Sequence, residues 1–426
     1  MHEIPLDGVP DSTLSFARDG YLFITKRCDT LGTDLFRSRL MLQPTIFMRG
    51  EEAARLFYDN EKFERAGVAP SRLQETLFGR GGVQGLDGAS HRCRKGIFLS
   101  LMSAERIARL GELSVEQWRR FAASWEHQNE VVLFDEVCEI LCRAVGAWTG
   151  IPLPESEVRK RTDDFVAMID AGAAVGPRHW RGRWARNRAE HWIEGLVEDV
   201  RAHRLAVDEG CALHATAWHR EMSGELLDKR TAAVELINVM RPTVAVAWYV
   251  MFAAMALHQY PDCRARLLTA EGDYLDYFVQ EVRRFYPFFP VVAARTRREF
   301  EWKGYRFPKG ERVLLDLYGT NHDPRLWDEP DTFAPERFCQ RDRSPFSFIP
   351  QGGGEYLDGH RCPGEWITVE LMKAAVVFLS TNVRYSVPGQ DLRIHFPRIP
   401  ALPRSRFVIS NVQMEPREVK WLHQSP

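Results

Sequence analysis

No two of the eight cysteines (Cys28, Cys93, Cys138, Cys142, Cys211, Cys263, Cys339 and Cys362) are spaced as Cys-x-x-Cys. That excludes structural zinc, whose thiolate ligands come at such short spacing. Charge of either sign is not in surplus: 57 Lys and Arg face 58 Asp and Glu, for a net charge of -1. A chain so balanced has no global pull toward nucleic acid or anionic lipid. No apolar run reaches the roughly 20 residues that span a bilayer, and the longest, Val244 to Leu257, reads as a core helix. The N-terminal Met-His-Glu-Ile-Pro-Leu-Asp lacks the charged-then-apolar pattern of an export signal or anchor. With unpaired, scattered cysteines, this predicts a cytoplasmic protein with reduced thiols. Repeats, low-complexity tracts and Pro/Gly/Ser-rich linkers are also missing, so a single domain over residues 1–426 is expected.

What the chain does have is helical periodicity. The pattern predicts helices over Gly50 to Asp59, Ser90 to Leu101, Ala104 to Gln128, Leu133 to Thr149, Glu155 to Ala171, Trp184 to Ala206, Arg230 to Gln259 and Tyr274 to Phe285. Strand-like signals appear at Leu35 to Thr45, Phe300 to Phe307, Arg312 to Leu317 and Phe407 to Val412. The fold class is therefore mainly α. A small β-rich lobe should take about residues 1–60 with parts of 290–320 and 380–426, and a helical lobe the remainder. The Gly172 to Gly176 segment is expected to join two helices.

One cysteine stands apart. Cys362 sits in Gln-Gly-Gly-Gly-Glu-Tyr-Leu-Asp-Gly-His-Arg-Cys-Pro-Gly-Glu-Trp, directly before a helix expected from Gly364 to about Leu379. Pro363 suits a first helical position, and the positive helix end beside the sulfur predicts a lowered thiol pKa. Three glycines permit close approach to something bulky and flat. His360 and Arg361 put positive charge beside it. A buried cysteine is ordinarily a small hydrophobe, yet a haem-thiolate centre fits all these features together.

Further back, Glu281 and Arg284 share a helix face, and Arg337 in Ala-Pro-Glu-Arg-Phe is placed to join them. Glu-x-x-Arg, then Pro-Glu-Arg-Phe, then a glycine-rich cysteine loop, in that order, resembles the cytochrome P-450 superfamily along essentially the whole chain. The resemblance implies that family's fold, with haem b held through iron by Cys362. Two features depart from the usual pattern. Phe348 stands fourteen residues before Cys362, a longer spacing than most members have. The central helix carries Met-Arg241-Pro242-Thr243 in place of the acid and threonine that deliver protons to bound oxygen.

An arginine inside an apolar helix needs an anion, since a buried charge left alone costs roughly 3–5 kcal/mol. Glu235 is six residues away and points to another side of the helix, while Asn238 offers only a neutral hydrogen bond. A distant acid is one partner for Arg241; a substrate carboxylate, gripped by two parallel N–H bonds, is the other. Pro242 removes a helix hydrogen bond and predicts a kink.

Four segments are similar to the bacterial fatty-acid peroxygenases, haem-thiolate enzymes driven by hydrogen peroxide: Asn238 to Thr243, Gln84 to His91, Arg283 to Pro290 and the cysteine loop. The resemblance makes Arg241 the carboxylate anchor, Pro242 the residue displacing the usual proton-delivery group, and Gln84 a pocket residue near the carboxylate. It implies a long-chain fatty-acid substrate, hydroxylated at the alpha carbon and also the beta carbon, with the substrate's own carboxylate as general acid-base and no obligatory reductase. Decarboxylating relatives tend to carry histidine where Gln84 stands. Phe78, Phe288 and Phe289 are candidate walls for the alkyl chain, or plain core. His91 and Lys95 resemble the superfamily's propionate-binding pair, with Arg65 and His360 as further candidates and Arg295 as a weaker one. Three other readings stay open: a decarboxylase giving terminal alkenes, a reductase-dependent monooxygenase, and a non-catalytic haem protein that binds fatty acids.

Overall fold

A helix that is apolar all round has to be wrapped by others, and the segment Lys229–Gln259 is such a helix. In the computed structural model, which describes residues 2–269, 273–339 and 344–415, every residue from 232 to 257 is buried except Pro242. By length and composition this helix could cross a membrane, but 94% of its most apolar window is buried inside the protein. Its start is set by Asp228, whose carboxylate accepts the Thr231 backbone N–H at 3.0 Å. The helix runs through Pro242 without a break, and Thr243 Oγ1 donates to the Val239 carbonyl at 2.9 Å.

Around it pack the helices Leu133–Thr149, Pro177–Arg201 and Glu365–Val377, each burying its apolar stripe. Leu133–Thr149 places Phe134, Val137, Cys138, Leu141 and Val145 inward at helical spacing. It stops at Gly150, whose φ of 77° is open to glycine and costly for other residues. Glu155–Asp170 and Pro177–Arg201 are joined by the glycine-flanked segment 171–176, as expected. The second of these helices begins seven residues before the predicted Trp184. Its first turns, Pro-Arg-His-Trp-Arg-Gly-Arg, are too polar to show a period, but Pro177 stands at a favoured N-terminal position.

The sheet is small and built from both ends of the chain. Its strand order is Leu35–Leu40, Gln43–Met48, Arg312–Asp316, Val291–Thr296, Phe63–Glu64. Thr45 to Met48 pair in parallel with Arg312 to Leu315, and Val291 to Arg295 run antiparallel to the same strand. The predicted strand Leu35 to Thr45 is thus two strands, turned at Met41 and Leu42, both at positive φ. Phe300 to Phe307 is likewise a hairpin, turned at Lys303-Gly304. A second sheet joins Glu130–Val132, Val408–Met414 and Val383–Ser386. The strands at 63–64 and 130–132 lie outside the territory expected for the β-rich lobe.

The Glu281 and Arg284 pair is fully buried rather than a surface pair. Arg284 grips Glu281 with two N–H bonds, at 2.7 and 2.8 Å, and Arg337 Nε adds a third at 3.1 Å. The remaining guanidinium donors of Arg284 go to the Asn321, Pro330 and Thr332 carbonyls.

Candidate active site

Cys362 precedes the helix Glu365–Val377, whose start lies one residue later than predicted. Its sulfur is enclosed by protein, although the residue keeps part of its surface open. Enclosure raises the thiol pKa, and the Glu365 carboxylate raises it further; the Gly364 N–H, Arg283 and Lys95 act the other way. The expected lowering by the helix end is therefore overturned for the free thiol, because burial outweighs one N–H and two nearby cations.

Around that sulfur lies a set of groups that spacing did not reveal. Gln351 Nε2 points at Cys362 Sγ from 3.9 Å and donates to Thr368 Oγ1 at 3.0 Å. The Cys362 N–H donates to the Gln351 carbonyl at 3.3 Å. Arg283, buried, donates to Gln351 Oε1 at 2.9 Å and to Glu365 Oε1 at 2.5 Å, and Arg361 Nε holds the other Glu365 oxygen at 2.6 Å. Gln351 is legible as the polar residue of Ile-Pro-Gln-Gly; its contact with the sulfur is not.

The three glycines have close neighbours within the protein itself. Gly352 and Gly354 have φ of 91° and 78°, and a Cβ on either would stand about 3 Å from the Tyr58 side chain. A Cβ on Gly353 would meet Ile349 and the Pro345 carbonyl at 2.6 Å. The triplet wraps Tyr58 and its own loop.

Lys95, one of the propionate candidates, reaches the cysteine loop. It is buried, and its ammonium donates to the carbonyls of Tyr356 and Gly359, both at 2.5 Å, and of Arg361 at 3.3 Å. All three donors serve the cysteine loop, and burial pulls the pKa down to about 8. His91 and His360 do come together, with ring centroids 4.0 Å apart. His360 Nε2 lies 3.4 Å from Asp87, which also accepts the backbone N–H groups of Arg65 and Ala66. Burial, then the neighbouring cations, drives the His91 pKa down to about 3. Arg65 lies over the Phe57 ring at 4.2 Å, donates weakly to the Phe57 carbonyl at 3.4 Å, and has no ion-pair partner among the described residues. Arg295 donates to the Gly67 carbonyl at 3.3 Å.

On the central helix, Arg241 is buried at 6% exposure and makes no hydrogen bond or ion pair among the described residues; its Nε is an orphan. Burial pulls its pKa down to about 9, Arg186 adds to that, and the nearby Cys362 sulfur opposes it. Glu235 is not its partner. That carboxylate is taken by Arg94 Nη1 at 2.7 Å and Asn238 Nδ2 at 3.2 Å. Asn238 Nδ2 also reaches Gln84 Oε1 at 3.3 Å, which ties Gln84 to the central helix. Pro242 is the one residue of the buried stretch that keeps some exposure. Phe288 packs on Tyr249 of the same helix at 4.4 Å and on Phe289 at 6.0 Å, and Tyr21 Oη donates to the Phe288 carbonyl. Phe78, half-buried, ends the short π-helical turn Gln74–Phe78.

These residues fit haem. A cysteine that keeps part of its surface open, a buried Arg65 with no ion-pair partner among the described residues and a close pair of histidine rings would supply a sulfur ligand and donors for two propionates. The comparisons agree. The Cytochrome P-450 family model matches residues 270–398. Cytochrome P-450SP alpha (CYP152B1) in complex with (R)-ibuprofen is 49% identical, with a TM-score of 0.94 over 95% of this chain and 100% of its own. Cytochrome P-450EX alpha (CYP152N1) with myristic acid is 45% identical, with a TM-score of 0.95 over 97% and 100%. A variant of cytochrome P-450 OleT in complex with arachidonic acid is 34% identical, with a TM-score of 0.95 over 98% and 100%.

A cysteine loop, a buried Glu-Arg-Arg cluster and a central helix in this arrangement define a cytochrome P-450, and the chain belongs to that superfamily of haem oxidoreductases. Within it, its place is with the CYP152 fatty-acid peroxygenases.

Proposed function

We propose that this protein hydroxylates long-chain fatty acids at the alpha carbon, and to a lesser extent the beta carbon, using hydrogen peroxide and no reductase. The observation that carries this reading is Arg241, a buried guanidinium with no anion among the described residues. Leaving it so costs several kcal/mol unless a ligand supplies the charge. Neighbours bound to myristic and arachidonic acids support a fatty carboxylate as that ligand.

Cys362 would hold haem b through its sulfur, with Arg65, His91 and His360 as donors to the propionates; bound there, haem supplies the oxidising power drawn from peroxide. Arg241 binds the substrate carboxylate through two N–H bonds, fixing its plane as well as its position. Heterolysis of peroxide needs one proton moved from the inner oxygen to the outer. Pro242 has no side-chain proton, and the Thr243 hydroxyl is committed to the Val239 carbonyl. The carboxylate on Arg241 is the group left to move that proton. Gln84, tied to the same helix through Asn238, would be a second donor to that carboxylate. Anchoring the acid end beside the oxidising centre brings the alpha and beta carbons nearest to it, while Phe78, Phe288 and Phe289 receive the chain.

Arg241→Leu tests this directly. The variant should keep the thiolate-haem spectrum and lose peroxide-driven turnover of fatty acids by at least about 100-fold, as loss of a general acid-base predicts. Turnover at the wild-type rate would remove the carboxylate from the mechanism.

A further inference from the structure

Glu235 is fully buried, takes no part in the mechanism above and is linked through Asn238 to Gln84, which does. It lies one turn before Asn238 on the central helix, and Arg94 approaches it from the helix Gly88–Ser100. Arg94 Nη1 donates to Glu235 Oε1 at 2.7 Å and to the Gly81 carbonyl at 3.2 Å, while Nη2 pairs with Glu221. Burial raises the Glu235 pKa while the Arg94 guanidinium and the Asn238 amide act the other way, and both Glu235 oxygens accept from these two donors. Asn238 must therefore turn its NH2 toward it, as the 3.2 Å contact shows. The same NH2 reaches Gln84 Oε1 at 3.3 Å.

The polarity of the chain of contacts is then forced. An accepting end fixes the asparagine amide, and the asparagine fixes the glutamine with its oxygen inward. The Gln84 NH2 is left facing away from the network, with no acceptor among the described residues. Asn238 Oδ1 has no donor among the described residues, so both side-chain bonds of the asparagine run through its NH2.

We propose that Glu235 and Asn238, with Arg94 behind them, are positioning residues that fix the Gln84 amide so that it presents N–H groups, not its oxygen, to the substrate carboxylate opposite Arg241. This rests on the fatty-acid reading above. With the amide reversed, an oxygen would face the carboxylate and repel it.

The test is a double-mutant cycle on the haem-loaded ferric protein, read first without peroxide. Binding of a long-chain fatty acid and of the matching fatty alcohol is followed by the haem absorbance shift for wild type, Gln84→Ala, Asn238→Ala and the double variant. Asn238→Ala keeps the Glu235 and Arg94 pair, so folding is protected; Glu235→Gln serves as a second variant. The single variants should each weaken the acid about tenfold, the loss expected for a hydrogen bond to a charged group, and leave the alcohol unchanged. The double variant should bind the acid no more weakly than Gln84→Ala. With peroxide added, the ratio of 2-hydroxy to 3-hydroxy acid should shift alike in all three. Additive losses in the double variant, equal losses for acid and alcohol, or wild-type affinity in Asn238→Ala would overturn the proposal. A wild type that binds acid but yields no product under peroxide would instead overturn the catalytic reading and leave the binding cycle to decide this one.

Discussion

The side chain at position 84 is where one substitution should redirect the reaction. Gln84→His replaces an amide with an imidazole that exchanges protons near neutral pH, and the product mixture should move from hydroxy acids toward terminal alkenes. Gas chromatography of the peroxide reaction reads this, and an unchanged mixture would remove position 84 from control of the outcome. Lys95→Met tests a role that only coordinates expose: three loop carbonyls lose their donor, and the thiolate-haem signature should weaken while the helix Gly88–Ser100 persists in circular dichroism. At this scale the sequence is a good guide where local geometry decides. Six residues separate Glu235 from Arg241, which was enough to set that acid on another side of the helix, where Arg94 and Asn238 take it. It is a poor guide where burial decides. Cys362 has the helix end that lowers a thiol pKa, yet enclosure by residues far apart in the chain raises it. Lys95 bonds carbonyls of a loop more than 260 residues on, contacts that local spacing does not show.

Among the elements, the buried Glu281, Arg284 and Arg337 cluster carries the sharpest stability prediction. Glu281→Gln takes the carboxylate from the fully buried Arg284 guanidinium and should cost about 3–5 kcal/mol in urea unfolding. A loss below about 1 kcal/mol would mean that the cluster is solvated. The helix Leu133–Thr149 ends where its periodicity ends, because the Gly150 cap and the end of the apolar stripe coincide. Val291–Thr296 falls in the 290–320 stretch expected to be part of the β-rich lobe, but its bounds are not legible for a physical reason. Its length is that of an ordinary strand, but it starts after Pro290 and its half-buried residues do not alternate cleanly, since it pairs with strands on both sides.

For the whole molecule, burial of polar groups sets the response to acid. His322 is half-buried, and desolvation of its ring with the nearby Arg284 lowers its pKa to about 3. The unfolded chain takes that proton near pH 6.5, so this residue favours unfolding as pH falls below 6.5, by up to about 1.4 kcal/mol per pH unit, until its folded pKa is passed. His322→Gln should flatten that part of the decline between pH 6.5 and 5; an unaltered slope would mean that His322 reaches solvent. The pocket as a unit also makes a prediction. A short carboxylic acid placed on Arg241 should let the protein oxidise styrene with peroxide, because the missing acid-base group then comes from outside the substrate. Failure at every short chain length would show that the group must be part of the oxidised molecule. The central claim is that Arg241 lets a fatty carboxylate complete a peroxide-driven site. Haem-loaded protein, hydrogen peroxide and a long-chain fatty acid, without reductase or nicotinamide cofactor, should yield the 2-hydroxy acid with some 3-hydroxy acid. Finding neither of these and no alkene would contradict it.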